Sequence, residues 1–192
     1  MTHREIIDAI VAASKAGRGY ASEFGWATDR DVEEWGVVAR ALARTLDMRG
    51  ELFFDDVIAR GRGNDPPDCE GVTETGDRIA FEVTELVDGK AIQYAKHHNT
   101  RFAWAEWPEE KFTKKLGELI ASKAKRHAHL KGGPYPGGYV IVVYTAEPNL
   151  TSAVVTSHLK SFKMPELPER TMAYLILGYT TKEECNPCFK LA

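Results

Sequence analysis

Cysteine is scarce in this chain. Three cysteines, an odd number, exclude a scaffold of paired disulfides and point to a reducing, cytoplasmic setting. Cys185-Asn186-Pro187-Cys188 has no second pair to complete a zinc site. Long apolar runs are also missing. None approaches the roughly 20 residues that span a bilayer, and Met1-Thr2-His3-Arg4-Glu5 does not open a secretory leader, so no membrane partner is expected. Nor does charge of one sign dominate. The formal net charge is −3, which removes any global electrostatic case for nucleic-acid binding and leaves room only for a local basic patch. The chain has no Gly-x-Ser-x-Gly elbow, no Gly-x-x-x-x-Gly-Lys loop and no His-Glu-x-x-His pair. Serine hydrolases of that kind, P-loop kinases and zinc proteases are thereby set aside. What is present is an ordinary globular composition, 43% hydrophobic over 192 residues, long enough for one domain with a sizeable core.

Apolar spacing predicts the elements. Ile6, Ile7, Ile10 and Val11 share a helical face, giving a helical extension over 1–28 that Gly17, Gly19 and Gly25 interrupt. A second helix is expected from about Val32 to Leu46, capped near Thr28-Asp29-Arg30-Asp31, with Trp35, Val38, Ala39, Leu42 and Leu46 as its buried stripe. Glu33 and Glu34 fall in its first turn. They complement the helix dipole there, or one of them leans toward a metal as an outer acidic ligand. Residues 51–60 read as a first strand broken by Asp55 and Asp56, followed by the Arg60–Asn64 loop, whose arginines either meet a phosphate or are simply solvated. His97 and His98 are neighbours and share no helical face, so they are taken as surface. Trp104 and Trp107 are expected to pack on the core. Phe112, Leu116, Leu119 and Ile120 define a helix over 109–128. Lys123 follows Leu116, Leu119 and Ile120 at spacings of seven, four and three, so it is expected to point inward at the edge of the stripe. Tyr139–Tyr144 and Met172–Leu177 are buried strands, with a helix over 150–162 between them.

The chemistry concentrates between Asp65 and Glu85. Asp65-Pro66-Pro67-Asp68 precedes a Glu74-Thr75-Gly76-Asp77 turn, then Arg78-Ile79-Ala80-Phe81-Glu82-Val83-Thr84-Glu85. A strand over the last segment sends Glu82 and Thr84 to one face. The turn folds it back on a short strand starting at Asp68, which brings the carboxylates of Asp68 and Glu82 together. Two carboxylates so placed suggest a hard divalent cation.

Pro67-Asp68 and Glu82-Val83-Thr84, with Glu82 fourteen residues after Asp68, together with the element order helix, strand, hairpin, helix, strand, helix, strand, resemble the restriction-endonuclease-like PD-(D/E)XK nuclease superfamily. The resemblance covers residues 30–178 as a nuclease-like core and leaves 179–192 as a tail. It implies an α/β fold with a mixed central β-sheet flanked by helices, acting as a Mg²⁺- or Mn²⁺-dependent nuclease on DNA or RNA. Asp68, Glu82 and the Val83 carbonyl would hold the metal, and Glu33 or Glu34 matches the acidic residue often found on the helix before the sheet. Thr84 stands where the family carries a lysine, and a threonine hydroxyl brings no positive charge. Lys123 is the first candidate for a relocated lysine, with Lys125 and Lys90 as the others. Lys114, Lys115, Lys125 and Arg126, in the one concentrated basic segment, are the candidate phosphate contacts. A compact core without a separate DNA-reading segment is compatible with action as a homodimer or beside a partner. The alternatives are a catalytically inactive module of this fold that binds nucleic acid or a protein, and a domain in which Asp68 merely caps a turn and Glu82 faces solvent. The acidic net charge favours the inactive module. The acidic cluster favours a metal, because it repels itself unless neutralised.

Overall fold

A computed structural model describes residues 30–61, 63–91, 93, 105–179 and 185–192. The expected helix over 1–28, His97, His98 and Trp104 lie outside the described residues. Two helices, α1 (Arg30–Gly36) and α2 (Ala43–Met48), are joined by a π-helical segment (Val37–Leu42). Strand β1 (Phe54–Ala59) and the hairpin β2 (Cys69–Thr73) and β3 (Arg78–Glu85) follow. Then come α3 (Glu109–Arg126), β4 (Gly138–Thr145), α4 (Ser152–Leu159), β5 (Thr171–Leu177) and β6 (Cys188–Lys190). The six strands form one sheet in sequence order. Pairing is antiparallel for β1–β2, β2–β3 and β5–β6, and parallel for β3–β4 and β4–β5. The chain is therefore α/β with a mixed sheet, as the element order predicts. Residues 188–190, within the expected tail, add a sixth strand. Among the described residues no helix is long and apolar enough to cross a membrane.

Strand alternation divides the core into two layers. Ile79, Phe81, Val83, Val140, Val142 and Tyr144 pack with Val37, Val38, Leu42 and Leu46 on the α1–α2 side. Ala80, Tyr139, Ile141, Val143, Ala173 and Leu175 pack with Phe112, Leu116 and Ile120 of α3 on the other. Every residue of β4 is buried, as expected of a central strand covered on both faces. Trp107 is buried in the α3 layer, in keeping with core packing.

The π-helical segment corrects the expected stripe. Ala43 N–H donates to the Val38 carbonyl, five residues back, and the wider turn rotates the sequence that follows. Val37 and Ala41 enter the core with Val38, Leu42 and Leu46, whereas Ala39 is only half-buried. Trp35 is half-buried and donates its indole N–H to the Val57 carbonyl at 2.8 Å. Asp55 and Asp56 mark an irregular edge: the β1–β2 register shifts between Asp55 and Ile58, and Asp56 adopts φ +50°. Gly71 sits beneath this bulge, where a Cβ would lie 2.8 Å from the Asp55 carbonyl. Gly71→Ala is expected to cost about 1–3 kcal/mol, read as a lowered urea midpoint with an unchanged slope.

Candidate active site

The hairpin register places the two acids. Cys69 pairs with Phe81, and one residue further the register sets Asp68 opposite Glu82. Asp68 N–H donates to the Phe81 carbonyl at 3.0 Å, and Asp68 Oδ2 accepts the Val83 N–H at 2.8 Å. The aspartate thus clasps the backbone on either side of Glu82. Directly opposed side chains share a face, and like charges there repel. Both are buried, Asp68 at 4% exposure and Glu82 at 0%. The reading in which Glu82 faces solvent is therefore overturned: Glu82 lies on the α3 face of β3, beneath the packed helix.

Lys123 answers the repulsion. Its position one turn beyond Ile120 carries it inward from α3, and it is buried. Lys123 Nζ donates to Glu82 Oε2 at 2.6 Å and to Asp68 Oδ2 at 3.0 Å. Tyr139 OH donates to the Lys123 carbonyl at 2.7 Å and so ties this turn of the helix to β4. Arg126, grouped by sequence with the outer basic residues, turns inward instead. It ion-pairs with Glu82 Oε2 at 3.3 Å and with Asp65 Oδ2 at 3.2 Å. The signal was its spacing: Arg126 is three residues past Lys123 and shares its face. Asp65 and Tyr139 were not singled out by the sequence. Nothing in their local pattern marks them, and only the tertiary fold brings them here.

The other expected residues divide. Val83, Thr84, Glu85, Lys123, Glu33, Glu34 and Tyr144 line an open cleft of about 190 Å³. Glu34 is buried, and Glu33 accepts a short hydrogen bond from Tyr144 OH. The helix before the sheet thus delivers Glu33, in its first turn, and Glu34, just beyond it, to this cleft. Lys125 and Lys90 are exposed and lie apart from the acid pair. Lys114 and Lys115 lie eight to nine residues before Lys123, about 12–13 Å back along the helix, beside Glu110 and Glu118.

The electrostatics follow from burial. Desolvation drives the Glu82 carboxyl up to about 7, Lys123 and Arg126 pull it down, and Asp68 adds to the rise. Burial likewise pushes the Tyr139 and Tyr144 phenols above their ordinary values, helped by Glu82 and by Glu85 respectively. A carboxyl whose folded pKa is raised binds a proton more readily in the native state. Its contribution to stability is fully present below about 4.5 and is lost as pH rises through about 7. In chelator, Glu82→Gln is expected to flatten this segment of the stability-versus-pH curve, measured by urea unfolding at a series of pH values.

The donor set suits a hard cation. Asp68, Glu82, Glu34 and the Val83 carbonyl offer oxygen only, and Glu82 Oε1 is buried without a hydrogen-bond partner. Among the described residues no three His, Cys, Asp or Glu side chains converge into a ready cage. A cation held by Asp68 and Glu82 would take its remaining ligands largely from water, as Mg²⁺ commonly does. Comparison with protein-family models, with curated proteins and with solved structures finds no match to this chain.

Proposed function

We propose that this chain is a Mg²⁺- or Mn²⁺-dependent nuclease of the restriction-endonuclease-like, PD-(D/E)XK type, hydrolysing phosphodiester bonds in DNA or RNA, with its lysine carried on α3 instead of at Thr84. One observation carries the reading: Lys123 Nζ lies within hydrogen-bond reach of both Asp68 and Glu82 at the edge of a cleft. The topology supports it, with an antiparallel hairpin feeding a parallel pair behind a helix that supplies Glu33 and Glu34.

Asp68, Glu82 and the Val83 carbonyl would hold the cation, with Glu34 as the outer acid. The cation, when bound, polarises the phosphodiester and lowers the pKa of an attacking water. An ammonium has three N–H donors. Two are occupied by Asp68 and Glu82, which leaves one for the attacking water or a phosphate oxygen. Thr84, half-buried at the cleft, can hydrogen-bond that water. Tyr139 holds the Lys123 backbone so that the ammonium keeps its place. The test is incubation with supercoiled plasmid, single-stranded DNA and RNA in Mg²⁺, in Mn²⁺ and in chelator. Cleavage is expected with metal alone, and no cleavage of any substrate would reject the reading.

A second reading, an inactive module of this fold that binds nucleic acid or a protein partner, is favoured by a specific observation. Lys123 and Arg126 together balance Asp68 and Glu82 without a metal. Binding to a nucleic acid that is never cut, with or without metal, would establish it.

A further inference from the structure

We propose that Arg60, Arg78 and Lys131 form a strip that carries the phosphodiester backbone of a nucleic-acid strand leading toward the Asp68–Glu82 pair. This deepens the nuclease reading and rests on it for the identity of the strand. Asp68 immediately precedes β2 and Glu70 lies two residues on, within it, so the two share a face and whatever gathers at Glu70 adjoins the acid pair at about 7 Å. Glu70 Oε2 accepts from Arg60 Nη1 at 3.1 Å, from Arg78 Nη2 at 2.6 Å and from Tyr135 OH at 3.1 Å.

Two cations, Arg60 and Arg78, meet this single carboxylate, and Lys131 stands beside them on the same loop as Tyr135. Lys131 is exposed, and its Nζ donates to the Gly63 carbonyl at 3.1 Å. It has no acidic partner among the described residues. Arg60 Nε is buried with no hydrogen-bond partner, a donor still lacking an acceptor. Arg78 lies over the Tyr135 ring at 4.8 Å, and its Nη1 donates to the Gly132 carbonyl, which fixes the guanidinium's plane. Lys131 N–H donates to the Pro66 carbonyl at 2.7 Å, tying the loop of the strip to the segment that bears Asp68. A fixed excess of positive charge beside an acid pair, in a chain of net charge −3, is the footprint of phosphate binding. The α3 lysines have no such excess: Lys111 pairs with Asp88 at 2.7 Å, and Lys114 and Lys115 adjoin Glu110 and Glu118.

The test is fluorescence anisotropy of short labelled DNA and RNA duplexes and single strands, in chelator, over a salt series. The full chain is compared with Arg78→Ala/Lys131→Ala and with the charge-preserving Arg78→Lys/Lys131→Arg. The alanine pair is expected to bind about tenfold more weakly at ~0.1 M salt, with a log–log salt slope shallower by about 2, while the charge-preserving pair keeps its slope. Lys131→Ala alone, a change of an exposed side chain, should reduce the slope by about 1, so the proposal stands or falls even if the double variant misfolds. The DNA and RNA arms report which strand the strip accepts. Parental affinity and slope in both alanine variants, or a loss carried by Lys114→Ala/Lys115→Ala instead, would overturn the strip. So would a parent that binds none of the probes. A parent that cleaves while the strip variants bind normally sinks the strip alone. A parent that binds through the strip yet never cleaves sinks the nuclease reading alone.

Discussion

Replacing Lys123 with methionine is expected to lower metal-dependent cleavage by about 10²–10³-fold, the range for removing a positioned cation or proton donor from a reacting site. Methionine keeps much of the aliphatic stem that packs at the end of the α3 stripe and deletes the ammonium. The same change has a second consequence that a purely structural ion pair shares only in part. Without metal, Asp68 and Glu82 then face each other without the ammonium, and Arg126 still pairs with Glu82. Breaking a buried pair in this way costs about 3–5 kcal/mol, and the deficit should shrink as pH falls and Glu82 takes up a proton. Mn²⁺ at 100 times its dissociation constant restores about 2.7 kcal/mol by mass action. The melting temperature of Lys123→Met should therefore rise more on adding Mn²⁺ than that of the parent, whose lysine competes for the same carboxylates. An equal rise in both proteins would place the ammonium outside the cation's site.

Glu82→Gln removes cleavage by about 10³-fold or more, the loss expected when the charge that holds a catalytic cation is deleted. The amide is nearly isosteric and can still hydrogen-bond Lys123, so the fold survives. In chelator the variant should be at least as stable as the parent above pH 7, where the buried Glu82 carboxylate is least favourable. Lost activity with retained stability distinguishes a functional carboxylate from a structural one. Lost stability at neutral pH would mark Glu82 as part of a structural ion pair, as the inactive-module reading requires.

The site was legible where local pattern and register coincide. The alternation around Glu82 and the Gly76 turn brought the Asp68 and Glu82 carboxylates together before any coordinates, because such a turn folds one strand back on the other. Lys123 was legible because helical spacing ties it to Ile120 and Leu116. Arg126 obeys the same spacing but reads as one more charge in a basic run, so its inward pairing with Glu82 and Asp65 was not drawn from it. The π-helical segment was invisible, since a stripe drawn at 3.6 residues per turn cannot anticipate one widened turn, and it moved Ala39 out of the core. The strand at Cys188–Lys190 was missed because three residues carry too little alternation to read. The Glu70 cluster was missed because Arg60, Arg78 and the loop of Lys131 and Tyr135 come from three separate places in the chain and converge only in the fold.

Calorimetric titration of Mn²⁺ into the parent and into Glu82→Gln tests the central claim most directly. The account predicts saturable binding to the parent, weakened at least tenfold by Glu82→Gln and weakening in the parent as pH falls below about 7, where the Glu82 carboxyl takes up its proton. No saturable binding to the parent, or equal binding by both proteins, would contradict it.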